Sequence, residues 1–97
     1  MLNSKQRANL RGLASAVSAT TIIGKEGLTE TVIEQIDKEL LSRELVKISV
    51  LESAEFSAKE YLNDVANLLK AEPVCSIGRK FVVYRYSNKK GVKHIEF

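Results

Sequence analysis

Cysteine and histidine are almost absent from this chain of 97 residues, which contains one of each, Cys75 and His94. A single cysteine excludes an internal disulfide, and one cysteine with one histidine cannot supply a structural zinc site. Nucleophilic catalysis needs a base within reach of the nucleophile, but Cys75 lies in an apolar segment and His94 near the C-terminus. We therefore expect an inert thiol, no metal, no cofactor and no enzymatic activity.

Long apolar runs and nucleotide-binding motifs are also missing. No run approaches the length that crosses a membrane, and the segment Met1 to Gln6 contains no apolar signal region. The Gly-Lys-Ser/Thr ending of a nucleotide phosphate loop does not occur. These absences predict a cytoplasmic protein with no membrane partner and no small-molecule substrate. Because the sequence contains no repeat and no linker, we expect one domain over residues 1–97, with a basic strand end and tail over 85–97.

Local patterns predict three helices and four strands in the order α-β-α-β-α-β-β. Alternating strands and helices require crossover connections, so the first strands should be parallel and the final pair antiparallel. We therefore expect an α/β fold with a four-stranded mixed sheet, and we assign no structure to the tail after Tyr86. Helices are predicted from a cap at Asn3 or Ser4, over about Thr29–Ser42, and from the capping box Ser57–Glu60 to a point before Pro73. Strands are predicted over Thr20–Ile23, Leu45–Leu51, Val74–Ile77 and Phe81–Tyr86.

The most distinctive segment is a turn with glycine at both ends, Gly24-Lys25-Glu26-Gly27, between a predicted strand and a predicted helix. Glycine tolerates positive φ and has no Cβ, so the backbone of such a turn can approach another chain closely. The helix that follows leaves its first N–H groups unpaired and is electropositive at that end. With Lys25 added, this arrangement is suited to binding a phosphate near the amide of Gly27.

The charges are segregated along the sequence. Residues 1–27 carry a net charge of +3, residues 28–78 carry −5 and residues 79–97 carry +5. If the fold brings both basic ends beside the glycine turn, one face becomes cationic while the other remains acidic. On the first helix, Arg7 and Arg11 are one turn apart and therefore lie together.

Four segments in this order resemble the CRM domain, and the match is closest to the stand-alone bacterial YhbY-like form. They cover about residues 3–86, and their combination is specific although each one alone is common. The segments are Arg11–Ala14, Ile22–Thr29, Glu44–Ile48 and Ile77–Arg85.

This resemblance implies an RNA-binding domain similar to the C-terminal domain of translation initiation factor three, associated with ribosomal RNA in precursors of the large ribosomal subunit. It places the glycine-flanked loop of the family on residues 24–27, where Glu26 departs from a purely cationic version. We expect phosphate contacts from this loop and from nearby basic side chains. The candidate RNA-binding residues are Gly24, Lys25, Glu26, Gly27, Arg7, Arg11, Lys47, Arg79, Lys80 and Arg85.

The sequence leaves the RNA-facing side of the sheet open. If the face that carries Lys47 is exposed, Arg85 can extend a basic surface there. If the opposite face is exposed, Tyr84 and Tyr86 can stack on bases, although we favour partial burial for both tyrosines. The face is not determined by the sequence.

Two other binding functions compete with RNA binding. The acidic middle segment, residues 28–78, could dock onto basic ribosomal proteins as a protein-interaction module. DNA binding is a weaker rival because the chain contains no helix-turn-helix or zinc pattern.

Overall fold

A computed structural model describes residues 2–97 and contains the predicted order of elements in that range. The predicted α/β fold with a four-stranded mixed sheet is confirmed. Boundaries differ from the predicted ones by up to two residues. The elements are α1 (Ser4–Ala14), β1 (Thr21–Ile23), α2 (Glu30–Arg43), β2 (Leu45–Val50), α3 (Ala58–Leu69), β3 (Glu72–Ile77) and β4 (Lys80–Tyr84).

The helices begin at side chains that the sequence marks as caps. The Asn3 carboxamide oxygen accepts a hydrogen bond from the Gln6 amide at 2.8 Å, and the Gln6 side chain accepts one from the Asn3 amide at 3.1 Å. Thr29 caps α2 by accepting from the Val32 amide, and Ser57 caps α3 by accepting from the Glu60 amide. The capping box predicted at Ser57–Glu60 differs in its second bond, because the Glu60 carboxylate accepts from the Ser57 hydroxyl at 3.1 Å. Each cap satisfies an amide that the helix itself leaves unpaired, which fixes where the helix starts.

The sheet has the strand order β1-β2-β4-β3. The β1–β2 pair is parallel and β4 runs antiparallel to both of its neighbours, as the alternation of elements predicted. Pro73 is the second residue of β3, an edge strand that begins at Glu72. An edge strand tolerates proline because one side of it needs no ladder hydrogen bonds.

Two layers cover the two faces of this sheet. Helices α2 and α3 pack on one face over a core that includes Ile36, Val65 and Phe81, all at most 1% exposed. Helix α1 and the C-terminal tail pack on the other face, around Leu10 and Tyr84. Neither face is therefore fully open. The supposition, drawn from the sequence, that one of the two faces of the sheet is exposed was wrong.

The register also separates Lys47 from Arg85. Lys47 pairs with Val82, whose side chain belongs to the α1 face, whereas Arg85 continues the alternation of Phe81 and Val83 on the α2–α3 face. The expectation that Arg85 extends a basic surface with Lys47 is wrong, because register across strands cannot be read from either strand alone.

The same packing decides the positions of the two tyrosines. Tyr84 is 7% exposed and its ring meets that of Phe97 edge to face, with centroids 4.9 Å apart. Tyr86 is 58% exposed and stacks on the His94 ring. Strand β4 ends at Tyr84, not at Tyr86, because the chain there leaves the ladder to meet Glu44.

Candidate functional site

The glycine turn has a defined hydrogen-bonded geometry. The Gly27 amide donates to the Gly24 carbonyl at 3.0 Å, and the Thr29 amide donates to the Gly27 carbonyl at 3.1 Å. Gly27 has φ +71°, which a residue with a side chain adopts only with strain. Gly24 does not have a positive φ, so the conformational requirement for glycine holds at Gly27.

The turn is exposed, but its central amide is already used. Lys25 and Glu26 are exposed, while Leu28 packs against the core below α2. Because the Gly27 amide is bonded inside the turn, it cannot also bind a phosphate as the sequence predicted. Within residues 2–97 the amides of Glu30 and Thr31, at the start of α2, have no hydrogen-bond acceptor. The Glu30 carboxylate stands at the same helix start and opposes an anion there.

The β3–β4 hairpin lies at the same end of the sheet as this turn, which we call the turn end. The turn follows Ile23, which pairs with Val50, and the Val50 amide donates to the Arg79 carbonyl at 2.7 Å. Lys80 pairs with Ser49 on the face that carries α1. The structure thus brings Lys25, Arg79 and Lys80 to one end of the sheet.

Acidic groups accompany these cations. The Arg79 guanidinium lies 3.3 Å from the Glu52 carboxylate, with both side chains mostly exposed. An exposed pair of this kind contributes at most about 1 kcal/mol, so Arg79 can exchange Glu52 for another anion. Glu26 is part of the turn and Glu30 begins α2 just after it, so the turn end is less cationic than the sequence segments suggested.

Helix α1 supplies a surface with positive charge and no acidic residue. Arg7 and Arg11 line a shallow pocket of ≈ 160 Å³ together with Val74 of β3. The Arg7 Nε atom is buried and has no hydrogen-bond partner within residues 2–97. Burial raises the pKa of Cys75, while the charges of Arg11 and Lys47 act to lower it. Lys47 pairs with Val82, which in turn pairs with Cys75.

Two of the predicted contact residues have partners inside the protein. The Lys47 ammonium donates to the carbonyls of Ala14 and Val17, at 3.2 and 3.1 Å, and so holds the C-terminal end of α1. The Arg85 guanidinium pairs with the Asp37 carboxylate at 2.8 Å and donates to the carbonyls of Leu69 and Asp37. We therefore do not include Lys47 and Arg85 in the candidate site.

The basic tail lies away from the glycine turn. Ser87 and Ile95 both donate backbone hydrogen bonds to the carboxylate of Glu44, which directly precedes β2. The turn lies beyond the opposite end of β1 and β2. The expectation that the basic segments 1–27 and 79–97 both surround the turn is therefore only partly met. Arg79 and Lys80 lie beside the turn, Arg7 and Arg11 lie against Val74 of β3, and the lysines between Ser87 and Ile95 lie at the other end of the sheet.

Other chemistries find little support in this arrangement. No group of three or more His, Cys, Asp or Glu side chains within residues 2–97 could hold a metal ion. The His94 ring contacts Glu44 and Tyr86, not Cys75, so the described part of the chain contains no thiol–imidazole pair. Among the described helices, none combines the length and apolar character needed to cross a membrane.

One surface was missed by the sequence reasoning. Ile22 and Ile77 project from the two edge strands on the α1 face and are 58% and 68% exposed. No local signal marks them, because β-branched residues in short strands are usually core residues. The cross-strand register determines that Ile22 and Ile77 lie in the same row across the sheet.

Comparison with known proteins gives a consistent assignment. The family model of the CRS1/YhbY (CRM) domain matches residues 2–85. YqeI of Bacillus subtilis, named "Probable RNA-binding protein", is 37% identical over 93 residues, covering 92% of this chain and 93% of that protein. A protein of Haemophilus influenzae named "RNA-binding protein" is 33% identical over 88 residues, covering 91% of this chain and 89% of that protein.

A solved structure agrees with the fold. The solution structure of the hypothetical protein SAV1595 from Staphylococcus aureus has a TM-score of 0.79 and 38% sequence identity, covering 93% of this chain and 94% of that one. Together with the family match over most of the sequence, this similarity confirms the resemblance drawn from the four segments. The chain belongs to the CRS1/YhbY (CRM) domain family.

Proposed function

We propose that this protein binds RNA, using the turn end of the sheet and the adjacent flank of α1. The observation that carries the proposal is the placement of five basic side chains on the α1 face and at the turn end, where Glu26, Glu30 and Glu52 are the neighbouring acids. They are Arg7, Arg11, Lys25, Arg79 and Lys80. The names of the relatives support the same class of ligand.

The chemistry of the contacts is mainly electrostatic. Arg7 and Arg11 can donate in a fork to phosphate oxygens, and Lys25 and Lys80 act as point charges. Phosphate contacts position an RNA chain but do not read its sequence. The proposed site therefore selects RNA by shape and by unpaired elements, not by a code of base contacts.

We further propose that the RNA is ribosomal RNA in precursors of the large subunit, which implies a cytoplasmic location. This step rests on the family resemblance stated above. Crosslinking in cells, followed by sequencing of the attached RNA, tests it directly. Reads concentrated on precursor large-subunit RNA support the proposal, and reads spread over messenger RNA contradict it.

Charge reversal at the site tests RNA binding itself. Lys25→Glu and Arg11→Glu should each weaken binding to ribosomal RNA fragments and lower the magnitude of the log–log salt slope by about 0.7, the loss of one phosphate contact. Lys38→Glu, an equal charge change at an exposed position of α2, is the matched control and should have a smaller effect. Equal affinity of the wild type, Lys25→Glu and Arg11→Glu proteins would remove these residues from the site.

A non-enzymatic role follows from the same proposal. The alternative to RNA binding is docking onto a basic ribosomal protein. Two acidic side chains of α2 already serve the fold: Asp37 pairs with Arg85, and Glu39 accepts hydrogen bonds from Thr20 and Thr21. This reduces the free acidic surface and favours RNA. Digestion of RNA before a pull-down separates the two functions, because protein partners that remain bound support docking.

A further inference from the structure

A continuous row of four residues crosses the whole sheet on the α1 face near the turn end. Ile22 of β1 pairs with Ser49 of β2, Ser49 pairs with Lys80 of β4, and Lys80 pairs with Ile77 of β3. Paired residues in a sheet project to the same face. The two isoleucines at the ends of the row are 58% and 68% exposed, Lys80 is exposed and Ser49 is half-buried. We call these four residues the sheet row.

The row is open because the covering layer stops short of it. The next row toward the tail contains Lys47, Val82 and Cys75, which lie below α1 and the loop that follows it. On the other side of the row, Leu51 is 46% exposed and its Cδ1 atom lies 3.4 Å from where a Cβ of Gly24 would be. The exposed apolar side chains of this surface are thus Ile22 and Ile77 at the ends of the row and Leu51 beside the glycine turn.

Cations border this apolar surface, and none of its own members is acidic. Lys80 is part of the row, and Arg79, which pairs with Glu52, directly precedes it in the hairpin. Arg11 lines a pocket with Val74 of β3, and Val74 lies three residues before Ile77, about 10 Å away along the strand. A partner that fits this surface must combine apolar faces with negative charge.

We propose that the sheet row is a platform on which the bases of unpaired RNA lie, while Lys80, Arg11 and the glycine turn hold the phosphates on either side. The proposal rests on the proposed RNA-binding function and adds the surface that holds the unpaired bases. Single-stranded RNA presents flat apolar base faces beside a charged backbone, whereas a duplex hides its base faces in the stack. The charge complementarity of the border favours RNA over a second copy of this chain.

The dimensions of the row suit a short stretch of RNA. Neighbouring strands are about 4.8 Å apart, so the two isoleucines are separated by roughly 14 Å. Four-stranded sheets in other RNA-binding domains hold two or three bases on a comparable surface, using aromatic side chains. Here aliphatic side chains take that place, so contact with the bases is apolar but does not include ring stacking.

The test replaces both isoleucines by threonine, which keeps the β-branched shape that strands favour and removes the apolar surface. Ile22→Thr/Ile77→Thr should weaken binding of a short unstructured RNA by about ten-fold and leave binding of an RNA duplex unchanged. Leu68→Thr, at a 58% exposed position on α3, is the control and should leave both affinities unchanged. Ile77→Thr alone, on an exposed hairpin strand, serves if circular dichroism shows that the double variant is unfolded.

The outcomes separate this inference from the function on which it rests. If the double variant binds unpaired RNA as tightly as the wild type, the platform is overturned while RNA binding stands. A change of oligomeric state in the double variant, measured by light scattering, would identify the row as a contact between copies and also overturn it. If the wild type binds neither RNA, the proposed function fails and the platform with it.

Discussion

The buried carboxylate of Glu44 is joined to His94 across 50 positions of the sequence, with Oε2 and Nδ1 2.7 Å apart. The same carboxylate accepts hydrogen bonds from the backbone amides of Ser87 at 2.8 Å and Ile95 at 2.9 Å. Glu44 is 0% exposed. One side chain between α2 and β2 thus holds both ends of the tail segment against the α1 face of the sheet.

Replacement of Glu44 should loosen the tail and destabilise the protein. Glu44→Gln keeps the shape but turns an acceptor into an NH2 group that faces donors, so we expect a loss of about 1–3 kcal/mol in the free energy of unfolding. Urea unfolding at neutral pH measures it. Glu96→Gln, at an exposed position in the same tail, is the control. Equal stability of the Glu44→Gln and Glu96→Gln variants would contradict the role of this carboxylate.

The pH dependence of stability should carry the signature of the same group. Burial alone would raise the pKa of Glu44, but hydrogen bonds from Ser87, His94 and Ile95 outweigh it and hold this pKa below its ordinary value of 4.5. A pKa that is lower in the folded state contributes stability above the unfolded pKa, and this stability is lost as the pH falls through the folded pKa. Wild-type stability should therefore decrease on acidification below about pH 4.5 more steeply than that of Glu44→Gln. Parallel curves for the two proteins would contradict the assignment.

Two lysines on the same face of the sheet should behave differently. Lys47→Met removes two charged hydrogen bonds to the end of α1, so we expect a stability loss of about 1–3 kcal/mol. Lys80→Met should leave stability within about 0.5 kcal/mol of the wild type, because the side chain is exposed, and should weaken RNA binding. Denaturant unfolding and fluorescence anisotropy of both variants measure the contrast. A Lys80→Met protein with wild-type affinity, or a Lys47→Met protein with wild-type stability, would show that these roles are misassigned.

Lys70 ends α3 in a left-handed conformation, with φ 53° and ψ 43°. This conformation costs a residue with a Cβ about 1–2 kcal/mol. A glycine at this position would avoid that cost, but part of the gain in stability is offset because glycine is more flexible in the unfolded chain. Lys70→Gly should therefore stabilise the protein by about 0.5–1 kcal/mol. Lys59→Gly, inside the first turn of α3, should destabilise it by a similar amount. A lower melting temperature for Lys70→Gly would contradict the prediction.

The sequence predicted those features that depend on neighbouring residues. The capping pair Asn3 and Gln6, the cap at Ser57 and the order of elements can be read locally, because each depends on contacts within a few positions. The family resemblance was also found from short segments, and the matches over residues 2–85 confirm it.

Features that depend on distant residues were not predicted. The separation of Lys47 from Arg85 and the placement of Ile22 and Ile77 at the two ends of one row follow from strand register, which no single strand reveals. The tail has no periodicity because Glu44, far away in sequence, determines its path. The hydrogen bond inside the glycine turn removed the Gly27 amide from the predicted phosphate contacts, since turn geometry is not determined by glycine spacing alone.

The most direct test of the central claim is the salt dependence of binding to unpaired ribosomal RNA. About five phosphate contacts predict a log–log slope of about −3.5, which is roughly a 100-fold loss of affinity between 50 and 200 mM salt. A slope near this value that becomes shallower in Lys25→Glu and Arg11→Glu would support the proposed interface. A slope close to zero, or one that both variants leave unchanged, would contradict it.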